Sequence, residues 1–320
     1  MDEKELLETY NRLFSKSDYE QYRGSLPRPT YTLTSKRWEK YRDVLVKVNQ
    51  KAADEFRDDC FKLSGKFKGV GLGLIPRDDI IELAYEIATK YGEASATASA
   101  LIYDEIAALQ KVDIENAIPA PTATYDETAK MVNGILKKSE NVDMLASGVS
   151  RLVKQAGADT TLQNAHRDRK LKGSKKRHSG ARVAWVPSGD TCPYCIALAS
   201  QGWKQQTEWA AKNHAKHIHA NCDCMYMVRF NNDLTYEGYD PDYYTDMINK
   251  QAREQGLIKE NETVAEKYKG RGQELNESVI NAMRREDYKE NSEKILEQKA
   301  NAYEKRKELN NSKAEETKVN

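Results

Sequence analysis

Cys192-Pro193-Tyr194-Cys195, followed by His217-Ile218-His219-Ala220-Asn221-Cys222-Asp223-Cys224, is the stretch on which the reading of this chain turns. Two of the chain's cysteines stand two residues apart in the first cluster, and two more are mixed with histidines in the second. Thiolates and an imidazole closing a loop of roughly twenty residues match the spacing of a tetrahedral zinc site. The two-residue gap lets both sulfurs of the first pair approach one ion from a tight knuckle. In an extended segment residues two apart share a face, so Cys222 and Cys224 can both turn inward. His219, three residues before Cys222, is also within reach. The expected core set is Cys192, Cys195 and Cys224, with His219 or Cys222 as the fourth ligand. The remaining group, or His217, would stand behind the ligands and orient them.

The other readings of the cluster are a disulfide framework and a redox Cys-x-x-Cys. Cysteines gathered at metal spacing, with Cys60 alone in a helical stretch, fit a reducing compartment better than a disulfide scaffold. No strand–helix alternation of the thioredoxin kind surrounds the pair. A structural role for zinc is expected over a catalytic one. Zinc deaminases place a glutamate two residues after the ligand histidine, whereas His219 is followed by Ala220 and Asn221. No His-Glu-x-x-His occurs. No catalytic residue is assigned, and the chain is not expected to be an enzyme.

The 320 residues, 39% hydrophobic and 32% charged with a net charge of +1, allow more than one domain. They predict a soluble protein whose electrostatic work is confined to local patches. No apolar run is long enough to span a bilayer, and the first residues contain no apolar signal region.

Upstream of the cysteines the pattern is helical. Leu6, Leu7, Tyr10, Leu13 and Phe14 share one face of a short helix. Trp38, Tyr41, Leu45, Val48, Ala52 and Phe56 form the stripe of a longer one. The glycines at 69–73 lack both the P-loop ending and the dinucleotide spacing, and read as a flexible connection. Pro76 opens a helix carrying Ile80, Leu83, Ala84, Ile87 and Tyr91. Gly92 is expected to interrupt or end it before a second segment bearing Leu101, Ile102, Ile106 and Leu109. The prolines within residues 117–123 exclude continuous helix there. Two further helices hold Met131, Val132, Ile135 and Leu136, then Leu145, Val149, Leu152 and Val153. Short connections between such helices predict a bundle over residues 1–165.

Residues 166–181 form a basic linker. Between His166 and His178 it holds Arg167, Arg169, Lys170, Lys172, Lys175, Lys176 and Arg177 against one aspartate. These seven are the candidate contacts to nucleic-acid phosphates. They would add affinity without reading sequence, and without interleaved aromatics to stack on bases. The plain alternative is a solvated linker.

A zinc-stapled α+β module is expected over 182–232. Its parts are a strand at 182–186, short helices at 195–203 and 209–217, and a strand at 225–230. Residues 233–320 then read as a tyrosine-rich loop, around 236–244, and an extended, charged, partly disordered helical tail. Leu275, Val279 and Met283 mark one thin helical face in it, and Ile295, Leu296, Tyr303 and Leu309 another. The fold class is thus mainly α.

One order of motifs resembles a known family. A helix ends in residues 158–168, Trp185 follows, then the run from Gly189 through Cys192 and Cys195 to Trp203, and His219-Ala220-Asn221-Cys222-Asp223-Cys224 closes it. This resembles the Mu F-like minor head (head morphogenesis) proteins of tailed bacteriophages. In that family a Cys-Pro-x-Cys precedes a His-Pro-x-Cys-Arg-Cys-type closing motif. Ala220 stands in place of the proline and Asp223 in place of the arginine. The resemblance covers residues 145–230. It implies a virion protein located at the portal vertex or capsid interior, and in the host cytoplasm during assembly. Its partners would be the portal protein, the major capsid protein and packaged DNA, with no membrane and with possible self-association in the virion. It implies a role in head assembly and DNA packaging or delivery.

Two other classes compete with that reading. A metal-dependent nuclease of the His-Asn-His kind would draw on Asn213-His214 and His217-x-His219, but no second Cys-x-x-Cys brackets them. A zinc-dependent DNA-binding regulator would bind selectively, where phosphate contacts alone give weak, salt-steep binding.

Overall fold

The computed structural model describes residues 31–66, 75–171, 180–187, 193–213, 215, 218, 224–230 and 234–264. The N-terminal helix expected around Leu6–Phe14, the glycine segment at 69–73 and the tail beyond residue 264 lie outside the described residues. The architecture is mainly α, as the patterning predicts. The chain divides into two units. One comprises Met1–Thr191 with Gln201–Pro241, the other Cys192–Ser200 with Asp242–Asn320.

The first unit is built on four helices: α1 (Ser35–Lys66), α2 (Arg77–Leu109), α3 (Tyr125–Leu136) and α4 (Val142–Arg167). The apolar stripe read in α1 faces inward, with Val48, Ala52 and Phe56 fully buried. They meet Ile80, Ile87, Leu145, Val149 and Val153 from α2 and α4 in one continuous core. The helix starts are well specified. Asp78 and Asp79 occupy the first turn of α2, where the helix dipole favours negative charge. Thr124 and Glu127 form a capping box on α3. The Asn141 carboxamide accepts from the Asp143 N–H at 2.7 Å to cap α4.

The helix expected to break at Gly92 does not break. α2 runs unbroken through it, and Gly92 is buried. A Cβ there would lie 2.9 Å from Thr122 Cγ2, so the glycine accommodates a neighbouring segment rather than a turn. The stretch that follows it, residues 94–100, alternates alanine with serine and threonine. These small side chains let α2 approach α4 until a Cβ on Gly157 would meet Ser95 Oγ at 2.6 Å. α2 and α4 accordingly share the largest interface between elements.

The segment between α2 and α3 is an extended strap, as its prolines require. It is fastened by side chains rather than by a β ladder. Asp104 Oδ1 accepts from the Ala117 N–H at 2.8 Å, and Thr160 Oγ1 from the Ala120 N–H at 2.9 Å. The Asn164 carboxamide accepts from the Ile118 N–H at 3.0 Å and donates to the Ile118 carbonyl at 2.9 Å. Thr160 and Asn164 are four residues apart, so they project from one face of α4.

Two small sheets complete the unit. β2 (Arg182–Val186) and β3 (Met225–Arg229) pair antiparallel, with Trp185 opposite Tyr226 and Val183 opposite Val228. Both strands were legible from sequence and nearly all their residues are buried. β3 packs on α4 and α2. The Trp185 and Tyr226 rings meet edge-on with centroids 4.5 Å apart. The second sheet joins β1 (Tyr31–Leu33) to β4 (Leu234–Tyr236) in parallel. The segment read as a tyrosine-rich loop therefore begins within a strand, and its end, from Pro241, is helical. Beyond β4, Glu237 accepts from the Ser35 N–H at 2.7 Å through its carboxylate, and from Trp38 Nε1 at 2.9 Å through its carbonyl. A residue distant in sequence thus caps α1. The short α6 (Glu208–Asn213) packs on α4.

In the second unit, α5 (Pro193–Ala199) and α7 (Pro241–Glu254) contribute Ile196, Ala197, Ile248 and Ala252 to a small core with Ile258. The buried Asn249 carboxamide accepts from the Val264 N–H at 2.9 Å, tying down the chain after α7.

Candidate metal centre and basic segment

Of the five expected metal ligands, Cys195 and Cys224 are among the described residues, and Cys192, His219 and Cys222 lie outside them, as does His217. Cys195 sits in the first turn and a half of α5, two residues after a proline placed where a helix tolerates it. Cys224 immediately precedes β3. Each is 1% exposed. Among the described residues no group of three or more His, Cys, Asp or Glu side chains converges as a metal site would require. Sulfur is a donor that zinc takes, and burial of a thiol is equally the habit of a cysteine packed in a core. Cys60 is different. It is a free thiol buried in α1, and burial, reinforced by the neighbouring Asp59 charge, pushes it up to about 12. It is inert filling in the core.

Three of the seven basic candidates are described: Arg167, Arg169 and Lys170. Lys172, Lys175, Lys176 and Arg177 lie outside the described residues. Arg167 is engaged within the fold. Its guanidinium donates to both Asp168 carboxylate oxygens, at 2.9 and 2.7 Å, and to the carbonyls of Asn116 and Glu115 at 3.0 and 2.7 Å. It therefore ties the start of the strap to the end of α4. Asp168 also accepts from the Tyr103 hydroxyl at 3.0 Å, and burial together with this carboxylate holds the Tyr103 phenol well above its ordinary range. Arg169 donates to the His166 carbonyl at 2.8 Å. The His166 ring in turn lies 3.0 Å from the Gln206 carbonyl. Lys170 is exposed. Of these three, Arg169 and Lys170 are exposed, while Arg167 spends its donors on the protein.

The sequence reading did not single out Tyr103, Thr160 or Asn164. The available signal was weak: polar residues four apart on a helical face otherwise buried, ahead of the His166-Arg167-Asp168 run.

Residues 32–251 match the family described as VG15 protein. No curated protein and no solved structure matches the chain. The matched span takes in the four-helix bundle, the β2–β3 pair, the strap and both cysteine clusters, well over half of the chain. The chain therefore belongs to the VG15 protein family, a family of viral gene products, and is a phage protein.

Proposed function

We propose that this phage protein is a minor capsid, or head morphogenesis, protein. In this reading it acts at the portal vertex or capsid interior, in head assembly and in DNA packaging or delivery. The observation that carries the reading is the order of elements inside the family span. A helical bundle is followed by the Cys192-x-x-Cys195 knuckle and the His219–Cys224 closing motif, the arrangement that resembles Mu F-like minor head proteins. Zinc would be held by Cys192, Cys195 and Cys224 with His219 or Cys222. When bound it would supply a closed, redox-silent crosslink, worth about 10 kcal/mol or more of folding free energy in zinc-finger peptides. The proposed role is structural, with no catalytic turnover.

The partners are the portal protein, the major capsid protein and the phosphates of packaged DNA. With Arg167 engaged in the fold, the DNA contact falls mainly to Arg169, Lys170, Lys172, Lys175, Lys176 and Arg177. It would be weak and steeply salt-dependent.

Co-expression of the full chain with portal and major capsid proteins from the same phage tests the reading, with elemental analysis of the purified product. One zinc per chain, lost in Cys192→Ser and Cys224→Ser, and stable co-purification with portal or capsid are expected. A metal-free protein would end the zinc reading. Magnesium-dependent nicking of plasmid DNA that is lost in His217→Ala would replace the structural role with a nuclease.

A further inference from the structure

The basic run that begins at Arg167 carries no aromatic residue of its own, yet the fold brings one alongside its start. α6 packs on α4, the helix from which the run emerges. Ala210 and Ala211 form the buried face of α6, and Trp209 is 56% exposed. Trp38 and Trp185, by contrast, are 5% and 3% exposed. The residues leading into α6 are tied to the run by two contacts. Gln205 Nε2 donates to the Arg169 carbonyl at 2.9 Å, and His166 Nδ1 lies 3.0 Å from the Gln206 carbonyl. Glu208 sits close enough that His166 and Arg169 add to the effect of Lys212 in holding its carboxylate below the usual range. That carboxylate is paired with Lys212 at 2.7 Å, whereas Arg169 and Lys170 are exposed.

An indole left in water forgoes the free energy that its burial would return. Set beside exposed guanidinium and ammonium groups, it suits a partner that is anionic and flat at once. Nucleic acid has both properties: phosphates answer the cations, and a base offers its π face to the indole. In a duplex each base face is already covered by its neighbours, so one exposed ring gains little from paired DNA. In a single strand the bases are free to turn onto it. Every base has such a face, so the contact would be indifferent to sequence.

We infer that α6 and the start of the basic segment form a binding surface for single-stranded DNA, with a base stacked on Trp209 and the adjacent phosphates held by Arg169 and Lys170. The inference rests on the phosphate contact proposed above and adds to it a preference for unpaired strands.

The test titrates the full chain with oligothymidylate and, at the same salt, with a duplex of equal length. Tryptophan fluorescence and the anisotropy of a dye-labelled strand are followed. Saturable quenching and tighter binding of the single strand are expected. Trp209→Ala should weaken oligothymidylate binding by about five- to a hundredfold, the range of one base–aromatic stack, and leave duplex binding and the unfolding midpoint unchanged. Trp209→Tyr, which keeps a ring, should recover most of the loss. Arg169→Gln with Lys170→Gln should weaken single strand and duplex alike and lower the salt dependence. If Trp209→Ala binds both forms as the wild type does, the stacking inference is overturned while the phosphate contact stands. If neither form binds the wild type, the phosphate contact itself fails and the inference goes with it. Loss of portal or capsid co-purification in Trp209→Ala, with oligothymidylate binding intact, would make the ring an anchor for protein and would equally overturn it.

Discussion

Replacing Asn164 by alanine tests whether side chains of α4 hold the strap. Asn164 is 3% exposed, and its carboxamide makes three bonds: one accepted from the Ile118 N–H, one donated to the Ile118 carbonyl and one donated to the Thr160 carbonyl at 2.7 Å. The third is the least costly to lose, because the Thr160 carbonyl keeps its helical acceptor role. The first two are different, because the strap has no ladder to fall back on. Each satisfied bond contributes about 1 kcal/mol net, and each group left half-buried without a partner costs about 1–3 kcal/mol. The exposed Ile118 side chain lets water recover part of that. The expected destabilisation is therefore about 2–3 kcal/mol, read from urea unfolding of the full chain. Hydrogen exchange supplies the local readout, with the Ile118 and Ala120 amides losing protection first. Thr160→Val removes the acceptor for Ala120 and should cost about 1 kcal/mol. The double variant should cost less than the sum, since one released strap cannot be released twice. An Asn164→Ala protein with an unchanged midpoint and protected Ile118 amide would refute the claim that the carboxamide substitutes for a strand partner.

Three further outcomes follow from the same packing. Gly92→Ala, which in an open helix would gain about 0.5–1 kcal/mol, should instead destabilise, because its Cβ meets Thr122 Cγ2 at 2.9 Å. Adding Thr122→Ser removes that methyl and should restore most of the loss in urea unfolding. Burial raises the Asp104 carboxyl despite the Ala117 N–H it accepts, so the folded state holds this proton more tightly than the unfolded state. Its contribution to stability therefore falls as pH climbs from the ordinary aspartate value of about 4 through the raised one. Asp104→Asn, which keeps the acceptor for Ala117, should flatten that fall in a pH series of unfolding midpoints. Native protein should leave Cys60 unmodified by iodoacetamide at neutral pH, by mass spectrometry, and denatured protein should not. Fast native labelling would contradict its burial in α1.

What the sequence reveals here is what repeats locally. The stripes of α1 and α4 recur every three to four residues, and the alternation in residues 182–186 and 225–230 marks β2 and β3 without outside help. The misreadings share one cause: the deciding partner is far away in sequence. Gly92 reads as a break because its intrinsic helical cost of about 1 kcal/mol is visible, whereas Thr122, which requires the missing Cβ, is not. β4 is three residues long and its mate lies two hundred positions upstream, so nothing near Leu234 announces a strand. Among the expected ligands, the motif identified residue types but not placement; Cys195 and Cys224 are buried, as Cys60 is.

The β1–β4 pair gives the first unit its logic. β1 precedes the four-helix core and β4 follows the β2–β3 pair, so segments from either side of that core are joined directly. Thr32 and Thr235 bring their hydroxyls to 3.2 Å across the pair. The Glu237 N–H donates to the Leu33 carbonyl at 3.0 Å, and Glu237 in turn caps α1 and receives the Trp38 indole. Arg37 and Tyr41, one turn further on, both donate to Glu105 at 2.8 Å, carrying the same fastening to the end of α2. The start of the α1 apolar stripe is therefore completed by residues that follow the cysteine clusters in sequence. Contacts of such separation cost loop-closure entropy before they return any energy. The start of α1 and residues 234–237 are thus bound together across the whole length of the first unit's described chain. The helices can form early from local pattern, but α1 acquires its cap only after residues 234–237 have joined the fold.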